Sequence, residues 1–307
     1  KRNYGGEGVD NGWSVHPTEG GFIFAGYSDS FGAGDFDFYL VATDWKGDEL
    51  WSKIYGGKTD DRCWALLPLD DGGFALLGET VDAETHAEDV YMVRVDSKGE
   101  QLWARTYGGE AGDRGFSLVL LEDGGFLIAG QTYSEGAGER DMYLIGTDNE
   151  GHQLWTRTYG GPARDLGHCI SPCADGNFIV TGYTASFASE AYDPWLVKVS
   201  AKGDTLWSRV LPVPGVGRGI TGVEAIGGGF YVTGFRHQPW DGSGAALLIH
   251  TDQEGRQLWS RDYFPTISGQ SFGYTVHATP DGGCVFTGHS GEGGDDKLDI
   301  LLVKVDP

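Results

Sequence analysis

Three arginines, Arg62, Arg114 and Arg218, recur at one position of a repeated pattern, each following an aspartate or, at Arg218, a glycine. Arginine holds a carboxylate through two parallel hydrogen bonds, and its flat face stacks on aromatic rings. Two residues beyond that position stand Trp13, Trp64, Phe116, His168, Ile220 and Tyr274, a mostly aromatic set. Arg62, Arg114 and Arg218 beside Trp13 and Trp64 have the chemistry to bind an anion carried on a flat ring, such as an acidic sugar. His168 is the one histidine of its set and would titrate near neutral pH. A segment further on, Arg236-His237-Gln238-Pro239-Trp240-Asp241, gathers four functional types in one loop. Arg236, Trp240 and Asp241 join the candidate ligand-binding set. If the site were catalytic, His168 or His237 would act as base and Tyr274 as acid on an acidic polysaccharide, as in a lyase or hydrolase. A structural reading stands beside this one. In it the aspartates cap turns, the arginines pair with aspartates, and the aromatics pack between neighbouring units.

These residues are positioned by a repeat. Trp51, Trp103, Trp155, Trp207 and Trp259 stand 52 residues apart, each ending an Asp/Ser-x-x-Gly-x-x-Leu-Trp element. One unit, from Asp113 to Pro162, reads as four strands. They are Gly115–Leu121, Phe126–Thr132, Asp141–Asp148 and Leu154–Tyr159, with glycine-rich turns between them. A period of this size built of short strands predicts a β-propeller blade. Six blades are expected, over about 10–57, 61–109, 113–161, 165–212, 217–264 and 271–307 plus 1–6, forming one all-β domain over 1–307. Lys1-Arg2-Asn3-Tyr4-Gly5-Gly6 matches the end of a fourth strand. It is expected to close the last blade as its outermost strand, which would remove free sheet edges. Loops on the upper face, around the central channel, are where a ligand site is expected. The fifth unit departs most from the pattern, with Gly217 and Ala245 replacing repeat aspartates.

The blade Asp113-Arg114-Gly115, Asp123-Gly124-Gly125, Gly130-Gln131-Thr132-Tyr133-Ser134, Asp141-Met142-Tyr143-Leu144-Ile145, Trp155-Thr156-Arg157-Thr158-Tyr159-Gly160-Gly161 resembles the bacterial and archaeal surface β-propeller repeats (SBBP-like repeats). The turn-plus-tryptophan element is similar to the docking motif of quinoprotein-type propellers. That resemblance implies tryptophan packing between neighbouring blades. The quinone ligands themselves find no match, so no redox role is expected. The surface-repeat resemblance implies an extracellular, cell-surface or periplasmic protein, whose leader is expected to have been removed.

The formal net charge is −23. This argues against a nucleic-acid partner and against an anionic membrane surface. No apolar run approaches the ~18 residues of a membrane helix, so no membrane insertion is expected. A monomer is expected. Cys169 and Cys173 lie ~13 Å apart along one strand, too far for a disulfide, and the four cysteines are expected to be free. No cofactor is required. Calcium is the ion that two acidic loops would take, through Asp35 and Asp37 in one and Asp295 and Asp296 in the other. The alternative for the repeated Asp37-type residue is a cap at the strand start. No Gly-x-Ser-x-Gly nucleophile elbow is expected, and no Walker or dinucleotide-binding glycine loop set between a strand and a helix. The leading expectation is a non-catalytic propeller binding an acidic glycan, a small anion or a protein partner. Alternatives are a secreted lyase or hydrolase, and a structural spacer of a surface protein.

Overall fold

The computed structural model describes residues 1–188, 191–237, 244–266, 270–291 and 298–307. The chain separates into two compact units, Lys1–Glu135 with Ile145–Thr156, and Gly136–Leu144 with Arg157–Pro307. No helix among the described residues is long and apolar enough to cross a membrane.

The strands form six sheets in chain order. The first contains β1 (Asp10–Pro17), β2 (Gly21–Ser28), β3 (Asp37–Asp44) and β4 (Glu49–Tyr55). The second contains β5 (Asp61–Pro68), β6 (Phe74–Val81), β7 (Glu88–Val95) and β8 (Gln101–Tyr107). The third contains β9 (Asp113–Leu120), β10 (Phe126–Thr132), β11 (Asp141–Thr147) and β12 (Gln153–Tyr159). The fourth contains β13 (Asp165–Pro172), β14 (Phe178–Thr184), β15 (Asp193–Val199) and β16 (Thr205–Val210). The fifth contains β17 (Val216–Glu224), β18 (Phe230–His237), β19 (Gly244–Thr251) and β20 (Gln257–Thr266). The sixth contains β21 (Gln270–Ala278), β22 (Cys284–Gly291) and β23 (Asp299–Val305). This is the six-bladed β-propeller that the 52-residue period predicts.

The third strands of the first five sheets are buried on both faces and read as near-continuous apolar runs, such as Phe38, Tyr39, Leu40 and Val41. In the first unit Ile23, Phe38 and Leu40 pack with Leu66, Leu76 and Val93 of the next sheet, with Trp51 against them. In the second unit Ile179 and Leu196 pack with Phe230, Val232 and Leu247, with Trp207 alongside. Each such side chain contributes about 1.5–3 kcal/mol by leaving water.

Trp51, Trp103 and Trp207 each pack on the turn glycine of the following sheet. Gly99, at φ +77°, turns the chain under Trp51, and a Cβ there would lie 2.7 Å from the indole. Glycine is needed at that point for both conformation and space. The tyrosines ending β4, β8 and β12 fasten the corresponding turns. Tyr55 donates to the Gly99 carbonyl at 2.6 Å and Tyr107 to Gly151 at 2.7 Å.

One expectation is corrected. The sixth sheet has three strands, and Lys1–Gly6 forms no strand. The segment still makes the contact of a fourth strand, since Tyr4 donates to the Gly47 carbonyl at 2.6 Å as Tyr55 does to Gly99, and Arg2 pairs with Asp48 at 2.6 Å. β23 therefore keeps Ile300 and Leu302 exposed, unlike the third strands of the other sheets. The four cysteines are free, as expected, and burial pushes the Cys63 and Cys173 thiols up to about 12.

Candidate functional site

A β-bulge in each first strand builds the candidate site. Pairing of first and second strands skips one residue in every sheet, between Gly12 and Ser14, Cys63 and Ala65, Gly115 and Ser117, Gly167 and Cys169, Gly219 and Thr221, and Gly273 and Thr275. The skipped residues are Trp13, Trp64, Phe116, His168, Ile220 and Tyr274. A bulge places its extra residue outside the strand register and re-aims its side chain, so this set is set apart by backbone geometry. Trp13 is 53% exposed and meets Trp64 edge-on at 5.0 Å.

The repeated aspartates act as caps. Asp61, Asp113 and Asp165 accept the backbone N–H of Gly57, Gly109 and Gly161, each at 2.8 Å. Asp37 accepts from Ala33 at 3.0 Å and Gly34 at 3.2 Å. The structural reading therefore accounts for these carboxylates. Asp35 is exposed, and no group of three His, Cys, Asp or Glu side chains that could hold a metal exists among the described residues. Asp295 and Asp296 lie outside the described residues, as do Trp240 and Asp241.

The three arginines sit in matching slots, each against two side chains of the preceding sheet, but with different neighbours. Arg62 lies over Phe36 at 4.9 Å and Tyr27 at 5.7 Å and pairs with Asp60 at 2.8 Å. Arg114 donates from Nε to Glu88 at 2.8 Å, forms a second bond to the same carboxylate, and approaches the buried Glu79 at 3.2 Å. Burial pushes the Glu79 carboxyl up while Arg114 pulls it back. Neither arginine pairs with the repeat aspartate of its own turn.

Arg218 differs. Its guanidinium lies 4.8 Å from the ring centres of both Tyr183 and Tyr192 and 5.6 Å from that of Phe235. Among the described residues no carboxylate pairs with it, and its Nε is buried without a hydrogen-bond partner. Aromatic faces hold a guanidinium in place, at about 0.5–2 kcal/mol, without cancelling its charge.

Arg218 opens into a cavity of about 330 Å³ lined also by Val216, Phe235, Arg236, His237, Gly244, Ser271 and Phe272. Phe235 and Phe272 meet at 4.4 Å and form an aromatic wall. Arg236 is bound on both sides, by the Asp262 carboxylate and, at 3.1 Å, by the Pro214 carbonyl. The expectation of no Gly-x-Ser-x-Gly is corrected by the sequence itself: Ser271 stands in Gly269-Gln270-Ser271-Phe272-Gly273, the spacing of a nucleophile elbow. It lies inside β21 rather than on a strand-to-helix turn, and its hydroxyl donates to the Phe264 carbonyl at 2.8 Å.

The three candidate catalytic residues have separate settings. His237 lines the cavity. Tyr274 stacks behind Phe272 at 6.1 Å, and burial pushes its hydroxyl pKa up. His168 lies 5.8 Å from Tyr183, whose hydroxyl accepts from Arg140 at 2.9 Å. Burial, then Arg218 and Arg140, lower His168 to about 4. The near-neutral titration expected of His168 is thus corrected, since burial beside two cations disfavours its charged form. At pH 7 it is a neutral neighbour of Arg218.

Tyr183, Tyr192, Phe235, Gly244 and Phe272 complete the site and were not singled out from sequence. Their signal lies in two repeat columns. The residue after the second-strand glycine reads Tyr27, Glu79, Gln131, Tyr183, Phe235, His289. The residue before the third-strand aspartate, or before Ala245, reads Phe36, Glu88, Arg140, Tyr192, Gly244, Leu298. Together these two columns set what each first-strand residue meets.

No protein-family model matches the chain, and no curated protein matches it. Among solved structures, the chain is similar to the β-propeller domain of the Trilobed protease from Pyrococcus furiosus. The TM-score is 0.51 at 11% identity, over 99% of this chain and 85% of that one. It is also similar to a puromycin hydrolase, with TM-score 0.46 and 13% identity over 96% of this chain. This chain spans 52% of that hydrolase, about half its length. A third similarity is to Sqt1 from Chaetomium thermophilum, with TM-score 0.47 and 15% identity over 91% of this chain and 68% of that one. At these identities the likeness to the Pyrococcus domain bears on fold alone.

Proposed function

We propose that this protein is an extracellular, non-catalytic β-propeller that binds an acidic ligand, either an acidic glycan or a small anion, at the cavity beside Arg218. The observation that carries this reading is a fixed guanidinium with no carboxylate partner among the described residues, facing a cavity walled by Phe235 and Phe272. A desolvated, pre-positioned guanidinium favours a carboxylate, and aromatic walls favour the flat face of a sugar ring. The extracellular location rests on the resemblance to surface propeller repeats.

The test is thermal unfolding of the purified protein with acidic oligosaccharides, with neutral ones, with calcium and with chelator. A ligand of the folded state raises the midpoint by mass action. Acidic sugars are expected to raise it for the wild type and not for Arg218→Ala. An equal shift in Arg218→Ala, or none with any acidic ligand, would sink the reading. His237 in the cavity wall gives the enzyme reading its one foothold. A lyase would release an unsaturated product absorbing in the near ultraviolet, and binding without such absorbance would dismiss that activity.

A further inference from the structure

We propose that the cavity takes one acidic ring presented end-on, such as the terminal uronic acid of a glycan, and leaves the following ring outside. This inference rests on reading Arg218 as the anion site and adds what that site selects.

The cavity exists because one column of the repeat changes. Phe36, Glu88, Arg140 and Tyr192 each place a large side chain directly before the third-strand aspartate, and in the fifth sheet the corresponding position, before Ala245, is Gly244. Where Arg218 is packed against Tyr183 and Tyr192, the next first-strand residue, Phe272, is packed against Phe235 and the space beside Gly244. The gap is thus about one large side chain wide. Its volume, about 330 Å³, lies at the lower end of the roughly 300–1,000 Å³ usual for ligand pockets.

The charges of the wall point the same way. Arg236 is neutralised by Asp262, which leaves one open guanidinium among the described lining residues. A groove built for a polyanion presents a row of cations, whereas this wall presents one, enough for one carboxylate. The Ser271 hydroxyl already donates to the Phe264 carbonyl, so toward a ligand it acts as an acceptor for a sugar hydroxyl.

The experiment is calorimetric titration of the whole chain with methyl glucuronide, with uronic-acid oligomers of two and three rings, and with methyl glucoside. The single acidic ring and its oligomers should bind within about threefold of one another, and the neutral ring at least about tenfold more weakly. Gly244→Tyr, which restores the side chain found at 192, should lose the acidic ring while keeping the wild-type unfolding midpoint. Affinity rising about tenfold with each added ring would overturn the end-on reading, as would undiminished binding to a folded Gly244→Tyr. In either case loss of binding in Arg218→Ala would leave the anion site standing. Failure of every acidic sugar to bind, or equal binding to Arg218→Ala, would remove both. The length series uses only the wild-type protein, so it decides even if Gly244→Tyr does not fold.

Discussion

Arg114 in the first unit and Arg218 in the second occupy the same place in the repeat, near the start of a first strand and two residues before the bulged residue. Their neighbours differ. Arg114 faces Glu79 and Glu88 and is neutralised. Arg218 faces Tyr183 and Tyr192, is held by ring faces, and keeps its charge. The repeat thus specifies where a guanidinium stands, and its neighbours decide whether it is structural or available: Arg62 also lies over two rings of the preceding sheet, but Asp60 beside its own strand neutralises it.

The comparison breaks most sharply if the two arginines are removed in turn. Arg218→Ala should weaken an acidic ligand about 100-fold, near 2.7 kcal/mol, and leave the unfolding free energy within about 1 kcal/mol. Arg114→Ala should leave the ligand untouched and lower stability by about 2 kcal/mol, since it strands the buried Glu79 carboxylate while Arg114 itself is a third exposed. Titration calorimetry and urea unfolding of both variants would read these outcomes. If both lose only stability, the two slots are alike.

A transplant sharpens the contrast. Tyr183→Glu puts the Glu79 residue type into the second unit's slot. It should neutralise Arg218 and weaken acidic ligands about tenfold, or 1.4 kcal/mol. Unchanged affinity would show that the tyrosines do not set the availability of Arg218.

A smaller effect serves as a control, because it should be the same in both units. Tyr55→Phe and Tyr159→Phe each delete a hydroxyl donated to a turn carbonyl, Gly99 in one unit and Gly203 in the other. Each should cost about 1 kcal/mol by urea unfolding. A cost confined to one variant would mean that the blades are not fastened alike.

The pH dependence should differ in sign between the units. Burial, then Asp113 and Asp82, raise Asp89 in the first unit to about 6. Its contribution is full below the unfolded value of about 4 and disappears as pH rises through 6. His168 in the second unit is lowered to about 4, so its contribution is present above about 6.5 and disappears as pH falls toward 4. Unfolding curves between pH 7 and 4 should therefore show Asp89→Asn losing a gain on acidification and His168→Gln losing a penalty. Profiles parallel to the wild type would contradict both assignments.

Much of this was legible in the chain. The 52-residue spacing of Trp51 to Trp259 specifies blades, and Trp51, Trp103 and Trp207 each lie over the turn glycine of the following blade. Arg218, Arg236 and His237 were marked as candidates by the break in the fifth repeat, and all three line one cavity. His168 was misjudged because burial and the cations around it belong to other strands. Tyr4 makes the contact expected of a fourth-strand tyrosine, fastening to the turn of the first sheet as Tyr55 fastens to that of the second, although Lys1–Gly6 is not paired as a strand.

The sequence by itself determined the fold class, the turns and the recurring positions, since these follow from local patterns of aspartate, glycine and tryptophan repeated at a fixed period. Only the tertiary structure decided which repeated residue is set apart by the bulge, which arginines find carboxylates, and where a missing side chain leaves room. Those outcomes depend on contacts between residues some 20 to 40 positions apart, such as Arg218 with Tyr183 and Tyr192, and charge pairing and cavities arise only across such contacts.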